Sequence, residues 1–239
     1  MHFNVITLFP EMVATTLSYG VIGKAIDSGL ITVDCVNPRD FAENKHNRVD
    51  DKPFGGGAGM VMMYDPLHRA IESLDENSLG VVTLMSPQGQ RLSQERVNQL
   101  AKGSCITLVC GRYEGIDQRF VEQYVDEEIS IGDYVISGGE MAACVVIDAI
   151  GRQIEGVLGD GESARTDSFM DGLLGIPQYT RSEILGQSGV PEVLLSGHHQ
   201  AISLWRQQQS INNTKLKRPD LMAGTSEREL SDSSTQKNE

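Results

Sequence analysis

The fold is indicated first by residues 105–125, which read CITLVCGRYEGIDQRFVEQYV. The apolar run Cys105–Cys110 predicts a buried β-strand, because strands that are covered on both faces contain few polar residues. A glycine-containing loop follows, and Asp117 is placed to cap a helix that continues to Val125. A strand followed by a loop and a helix is the repeating unit of a parallel α/β sheet.

The same alternation continues on both sides of this segment. Further strands are predicted at Phe3–Phe9, Ile31–Val36, Val81–Met85 and around Ile129–Ile131. Helices are predicted after Pro10, after a cap formed by the Asp65-Pro66 pair, from Ser93 to Lys102, and from Glu140 to about Glu155. We therefore expect an α/β domain at residues 1–158, with a mainly parallel sheet covered by helices on both faces.

The chain changes character after residue 158. Residues 159–175 are rich in glycine and polar residues without periodicity, which predicts a flexible interdomain linker. Residues 181–223 have helix-compatible patterns without strand runs, which predicts a smaller helical domain at residues 176–223. The Ser-rich and charged residues 224–239 predict a disordered tail.

The chain is acidic as a whole. It has 239 residues, with 20 Lys and Arg against 33 Asp and Glu, and a formal net charge of −13. This charge argues against a protein that coats nucleic acid non-specifically, because dense phosphate contact needs clustered basic residues. Residues 193–219, however, contain no acid and include the single tryptophan, Trp205. That window predicts local phosphate contact, and its basic residues are Arg206, Lys215, Lys217 and Arg218.

Cysteine spacing and hydropathy predict a cytoplasmic protein without membrane association. No two of the four cysteines have CxxC spacing, which favours reduced thiols; they are Cys35, Cys105, Cys110 and Cys144. The N-terminus lacks the basic and long apolar regions of a signal peptide. The most apolar stretch, Met141–Ile150, is too short to span a bilayer and is interrupted by Asp148.

Three predicted strands end in loops of small residues. The segments are LMSPQGQ at 84–90, LVCGRYEGID at 108–117 and EEISIGDYVISGGE at 127–140. Parallel sheets bind ligands outside the carboxyl ends of their strands, and glycines allow close backbone approach. The absence of GxGxxG after a strand and of GxxxxGK[ST] disfavours a dinucleotide site and a P-loop. If backbone groups hold most of the ligand, an uncharged adenine-type ring would fit this site better than a triphosphate.

Other candidate residues have two readings each. The glycine-rich loop DDKPFGGGAGM, residues 50–60, is either a flexible surface loop or a place where a base stacks near Phe54. From residue type alone, the favoured interpretation of Arg152 is an exposed ion pair with Asp148 on a helix surface. The favoured interpretation of Asp167 is a helix cap or a turn residue. The adjacent His198 and His199 are more typical of a turn than of a metal site.

Seven segments resemble, in the same order, those of bacterial tRNA (guanine-N1)-methyltransferases. They are NPRDF at 37–41, DDKPFGGGAGM at 50–60, SPQG at 86–89, LVCGRYEGID at 108–117, SIGDYVISGGE at 130–140, DSFMDGLLGIPQYTR at 167–181 and SGHHQAISLWR at 196–206. The resemblance extends over about residues 1–220. It implies the SPOUT class, in which an α/β domain with a deep trefoil knot is joined to a small C-terminal helical domain in an obligate homodimer.

The resemblance also implies a reaction. A methyl group passes from S-adenosylmethionine to N1 of the guanosine immediately 3′ of the tRNA anticodon, position 37. Guanine N1 carries a proton that a base must remove, and the family's general base matches Asp167. The family's arginine matches Arg152, which would stabilise negative charge developing at O6. Since the family's active sites lie at the subunit interface, we expect Asp167 to serve the cofactor bound by the other subunit.

The resemblance assigns two sets of binding residues. The cofactor set is Leu84, Ser86, Pro87, Gly111, Tyr113, Glu114, Ile131, Gly132, Asp133, Tyr134, Val135, Ile136, Gly138 and Gly139. The substrate set is Asp50, Gly55, Gly56, Gly57, Gly59, Ser168 and Arg206. The family's activity depends on Mg²⁺, but the sequence offers no clear ligand set, and we assign no metal ligand.

Two departures and two alternative functions bear on this assignment. Ala58 and Ala142 replace prolines that are usual in the family, which removes a backbone restraint at each position. A non-catalytic RNA- or nucleotide-binding module on the same scaffold would be expected to lack the catalytic pair, yet Asp167 and Arg152 are present. A small-molecule methyltransferase is disfavoured by the helical domain with its basic stretch.

Overall fold

The computed structural model describes residues 1–159, 161, 164 and 166–223. The chain divides into two compact units, Met1–Gly161 and Glu162–Glu239, and each is described by itself. The predicted tail at 224–239 and positions 160, 162, 163 and 165 of the predicted linker lie outside the described residues. In the part of the chain that is described, no helix combines the length and apolarity needed to cross a membrane.

The first unit is built on a parallel sheet, as the sequence predicts. Its strands are β1 (His2–Ile6), β2 (Thr32–Val36), β3 (Asp50–Asp51), β4 (Val61–Met62), β5 (Val81–Arg91), β6 (Cys105–Cys110) and β7 (Glu127–Ser130). The main sheet has the order β2-β1-β6-β5-β7, and each neighbouring pair is parallel. β3 and β4 form a separate antiparallel pair.

Helices cover both faces of this sheet. They are α1 (Pro10–Leu17), α2 (Gly20–Asp27), α3 (Tyr64–Glu72), α4 (Gln94–Leu100), α5 (Gln118–Tyr124) and α6 (Glu140–Gly151). Alternate strand residues point to opposite faces. On one face, Phe3 and Val5 pack with α1, α2, α4 and α6. On the other face, Ile6, Leu84 and Val109 pack with α3 and α5.

Two predicted helix caps are confirmed and one is wrong. Ser93 accepts a hydrogen bond from the Arg96 N–H, and Asp117 caps α5. Asp65 does not cap α3, which begins at Tyr64. Met63, the residue before Tyr64, has an extended backbone because its N–H donates a hydrogen bond to the Val49 carbonyl at 2.8 Å. The helix therefore begins directly after this contact, and Asp65 lies in its first turn.

Helix α6 is shorter than the sequence predicts. It ends at Gly151, and tight turns follow in which the Gln153 and Ile154 N–H groups donate to Ile150 and Gly151. The apolar side chains Ile147 and Ile150 of this helix are fully buried. Ile154 packs against the same core although it lies beyond the helix.

The second unit contains α7 (Glu192–Leu195), α8 (His199–Lys217) and α9 (Pro219–Ala223). Helix prediction was wrong for residues 176–191, which are all described and form turns with an isolated bridge between Ser182 and Gly186. Gly186 and Gly189 have φ angles of 56° and 77°, which interrupt helix. The end of the predicted linker is tied to α8, because the Leu174 N–H donates to Thr214 Oγ1 at 2.9 Å.

Candidate functional site

A cavity of about 360 Å³ opens at the bulge of β5 and at the carboxyl ends of β6 and β7. Three loops form its walls: the first loop (86–89), the second loop (111–117) and the third loop (131–139). Its volume lies in the range of small-molecule sites, about 300–1,000 Å³. The edge is the one at which parallel α/β sheets bind ligands.

The first loop is a bulge inside β5. Met85 and Gln90 both pair with Ile129, so the residues between them leave the ladder. The predicted strand Val81–Met85 thus resumes after the loop and continues to Arg91. A side chain at Gly89 would collide with the backbone of Glu128, so this close approach requires glycine.

The second loop is held against β4. The Glu114 N–H donates to Met60 O at 2.9 Å, and the Met62 N–H donates to Gly115 O at 2.9 Å. These bonds directly follow Tyr113, whose φ of 61° costs a non-glycine residue about 1–3 kcal/mol. The surrounding hydrogen bonds hold the tyrosine in this conformation at the cavity wall.

The third loop is joined to the second by two consecutive glycines. The Gly139 N–H donates to Gly111 O at 2.9 Å. A side chain at Gly139 would meet the Cys110 backbone, and one at Gly138 would meet the Arg112 guanidinium. These two positions therefore require glycine for packing, independently of any ligand.

A buried charge cluster lies behind this junction. The inner cluster consists of Thr7, Arg112 and Glu140, and the Glu140 side chain is 0% exposed. Arg112 Nε donates to Glu140 Oε2 at 2.9 Å, and Thr7 Oγ1 donates to Glu140 Oε1 at 2.9 Å. The guanidinium also lies 4.4 Å from the centroid of the Phe9 ring. The cluster joins β1, the second loop and the beginning of α6.

The glycine-rich loop, residues 50–60, meets the rim of the cavity. A side chain at Gly59 would collide with Glu114, which lines the cavity. Asp50 lies in β3 and pairs with Met62, at the base of the loop. Phe54 is fully exposed. The remaining predicted substrate glycines, which all have positive φ, are Gly55, Gly56 and Gly57.

The structure brings together almost all of the predicted cofactor residues. Every residue in that set lines the cavity except Asp133. The Asp133 carboxylate instead forms an exposed ion pair with Arg91 at 2.8 Å. Gly132, with a φ of 149°, precedes it and changes the chain direction there. The sequence pattern does not show which way the side chain after such a turn points.

Several residues that line the cavity were not predicted from the sequence. Arg112 belongs to the predicted second loop but was not selected, because its pairing with Glu140 is visible only in three dimensions. Gln118 lies one residue beyond a predicted cap, and Glu128 lies in a predicted strand region. Glu128 had a signal available, since it lies within the segment 127–140, which the sequence predicts to be a strand with its following loop.

The predicted catalytic and remaining substrate residues belong to different units. In the first unit, Arg152 caps the C-terminus of α6 and is half-buried. In the second unit, Asp167 is exposed, and its carbonyl accepts a hydrogen bond from the Met170 N–H at 3.4 Å. Ser168 Oγ accepts from the Gly175 N–H at 2.8 Å, and Arg206 is exposed on α8.

The basic window lies mostly on α8, with exposed Arg206, Lys215 and Lys217. Its fourth basic residue is neutralised, because Arg218 Nη2 lies 2.6 Å from an Asp220 carboxylate oxygen. The hydrogen bond from this guanidinium lowers the pKa of Asp220. The window is therefore less positive than its own composition indicates.

The contacts of His198 and the surroundings of the four cysteines are those of structural residues. His198 Nδ1 accepts a hydrogen bond from the Ala201 N–H at 3.2 Å and thereby caps α8. Among the described residues, no group of three His, Cys, Asp or Glu is placed to hold a metal ion, so we assign no step to Mg²⁺. The four thiols are free, and burial raises the pKa of Cys110 well above its usual value. Burial also raises the pKa of Cys35 to about 11.

Comparison with known proteins identifies one family. A family model described as tRNA (Guanine-1)-methyltransferase TrmD matches residues 1–224. The chain is 54% identical over 226 residues to the tRNA (guanine-N(1)-)-methyltransferase of Halorhodospira halophila, across 93% of this chain and 85% of that protein. It is 53% identical over 223 residues to the protein of the same name from Shewanella frigidimarina, across 92% and 90% of the two chains.

Proposed function

Because this chain belongs to the tRNA (guanine-N1)-methyltransferase family, we propose that it transfers a methyl group from S-adenosylmethionine to N1 of the guanosine at tRNA position 37. The observation that carries this proposal is the cavity at the bulge of β5 and the carboxyl ends of β6 and β7. Its three loops coincide with the segments to which the family resemblance assigns the cofactor. The proposal therefore places the cofactor in this cavity.

The lining of the cavity suits this cofactor. S-adenosylmethionine supplies a methyl group activated on a positively charged sulfonium. Leu84 and Ile116 provide apolar contact for an adenine ring, and glycines of the second and third loops allow backbone hydrogen bonds to its edge. Glu114 and Glu128 supply negative charge that attracts the sulfonium.

Two side chains carry the proposed chemistry. The exposed Asp167 carboxylate accepts the proton from guanine N1 as the methyl group is transferred. The Arg152 guanidinium stabilises the negative charge that develops at O6. In the proposed homodimer, Asp167 of one subunit acts on the guanine beside the cofactor of the other.

An exposed apolar surface supports the homodimer. Phe9, the residue before α1, and Met12 within α1 are 47% and 36% exposed, and Met141 and Val145 of α6 are 46% and 47% exposed. The two helices pack against one another, so these side chains belong to neighbouring elements. Large exposed apolar patches commonly mark protein–protein interfaces. A second copy of this chain is the proposed occupant.

The proposal includes the SPOUT trefoil knot and tRNA contact by the second unit. Close packing of Gly139 against Cys110 and Met85 supports a chain segment threaded between the first and second loops. Exposed basic residues on α8, including Arg206, support contact with tRNA phosphates. The glycine-rich loop, at the cavity rim, supplies the proposed surface for the target base.

A label-transfer assay tests the proposed reaction. Purified protein is incubated with tritiated S-adenosylmethionine and a tRNA transcript that has either G or A at position 37. Label is expected in the G transcript alone, because adenine lacks the N1 proton and the O6 atom that the site recognises. Label in both transcripts contradicts the specificity, and label in neither contradicts the activity.

The role of Asp167 is tested by substitution. Asp167→Ala is expected to abolish transfer while leaving S-adenosylmethionine binding intact, as measured by calorimetry. The matched control is Asp171→Asn in the same segment, which retains the side-chain oxygen that accepts from the Leu173 N–H. Transfer by the control should survive. Loss of cofactor binding in Asp167→Ala would be inconsistent with a role confined to proton removal.

A further inference from the structure

A cation lies in the wall of the cavity. Among the described residues that line it, Arg112 is the one positively charged side chain. Arg112 Nη1 donates to Ser137 O at 3.1 Å, and its guanidinium occupies the space where a Gly138 side chain would lie. The positive charge is therefore held directly behind the Ser137–Gly138 wall. If no negative charge compensated it, the Arg112 guanidinium would repel a positively charged ligand.

A buried carboxylate compensates this charge. Glu140 is fully buried, and each of its two oxygens accepts one hydrogen bond within the inner cluster. A buried charge is stable only when it is paired and hydrogen-bonded. With Arg112 and Glu140 balanced, Glu114 and Glu128 determine the sign of the remaining charge around the cavity.

We infer that Glu140 is a positioning residue that sets the preference of the cavity for the sulfonium cofactor over its neutral thioether product. It acts through Arg112, because the ion pair holds the guanidinium against Ser137 and cancels its charge. S-adenosylmethionine is then attracted by the lining acids, whereas S-adenosylhomocysteine has no sulfonium charge. The inference rests on the proposed function, since it requires the cofactor to bind in this cavity.

The first unit contains a matched control. The outer cluster consists of Thr83, Arg96 and Glu127, the same residue types as the inner cluster. Arg96 Nε and Nη2 donate to Glu127 at 3.0 and 2.8 Å, and Thr83 Oγ1 donates to it at 3.2 Å. None of the three lines the cavity. Removing the Glu127 charge therefore repeats the chemical change at a different place in the fold.

The test measures dissociation constants for S-adenosylmethionine and S-adenosylhomocysteine by calorimetry on the full chain. Glu140→Gln is expected to weaken S-adenosylmethionine on the order of tenfold more than S-adenosylhomocysteine, as for one charge roughly 10 Å away at an effective dielectric constant of about 20. The double variant with Arg112→Gln should restore the ratio of the two constants, and Glu127→Gln should leave it unchanged.

Equal weakening of both ligands by Glu140→Gln would mean that the residue is merely structural and would overturn the inference. Circular dichroism establishes whether each variant is folded. If Glu140→Gln is unfolded, Glu140→Met repeats the measurement at the same position, and equal weakening of both ligands there also overturns the inference. Failure of the wild-type chain to bind either ligand would instead refute the proposed cofactor site.

Discussion

The inner and outer clusters contain the same three residue types and differ in their exposure to water. The Glu140 side chain is 0% exposed, whereas the Glu127 side chain is 23% exposed. Water can replace a lost partner at Glu127 but not at Glu140. Residue composition therefore does not determine what an ion pair contributes to stability, because the cost of leaving one charge unpaired rises with burial.

The largest expected effect comes from removing the cation of each cluster. Arg112→Met leaves Glu140 buried without its cation and should lower the free energy of unfolding by about 3–5 kcal/mol. Arg96→Met should lower it by about 0–1 kcal/mol, because Glu127 becomes hydrated. Urea unfolding followed by circular dichroism measures both. Equal losses of unfolding free energy in the two variants would show that burial does not determine the cost of removing the cation.

A smaller effect is expected from the threonines. Thr7→Val removes the donor to Glu140 Oε1 and should cost about 1–3 kcal/mol, the usual range for a buried polar group left unsatisfied. Thr83→Val should cost about 0.5–1 kcal/mol, because Glu127 keeps two bonds to Arg96 and reaches water. The same urea titrations test the pair, and a larger loss in Thr83→Val would reverse the ranking.

The smallest effect is expected at a more exposed pair, Asp117 and Arg119. The hydrogen bond from Arg119, whose side chain is 69% exposed, lowers the pKa of Asp117. Because the pKa of Asp117 is lowered on folding, its carboxylate stabilises the folded state at pH values above the unfolded pKa of about 3.9. This stabilisation is lost as the pH falls through the pKa of the folded state.

The corresponding variant is Asp117→Asn, which keeps an oxygen for the helix cap. It should cost about 0.5 kcal/mol at pH 7 and less below pH 4, as thermal unfolding across pH would show. A cost that grows as the pH falls would contradict the assigned direction of the pKa shift.

The sheet and its loops were predictable because local signals agree there. The run Cys105–Cys110 is apolar throughout, and Asp117 follows at a distance that suits a helix cap. The same reasoning failed at residues 176–191, where helix-compatible residue types are interrupted by glycines with positive φ. Composition alone does not separate these cases, because the left-handed conformation of Gly186 depends on the folded turn.

The buried charge could not be predicted from local pattern. Glu140 begins a helix, a place where an exposed glutamate is common, yet its partners are Thr7 and Arg112, which are distant in sequence. The direction of the Asp133 side chain could not be predicted for a similar reason, since its partner Arg91 lies beyond the bulge in β5. Sequence patterns located the walls of the cavity but not the contacts that hold them.

The three loops are the proposed binding site for S-adenosylmethionine. Amide hydrogen exchange with mass spectrometry can locate the bound cofactor on the full chain, with and without saturating S-adenosylmethionine. Exchange should slow in residues 86–89, 111–117 and 131–139 and change little at β2, on the far edge of the sheet. Unchanged exchange in all three loops, or slowing confined to other segments, would refute this site.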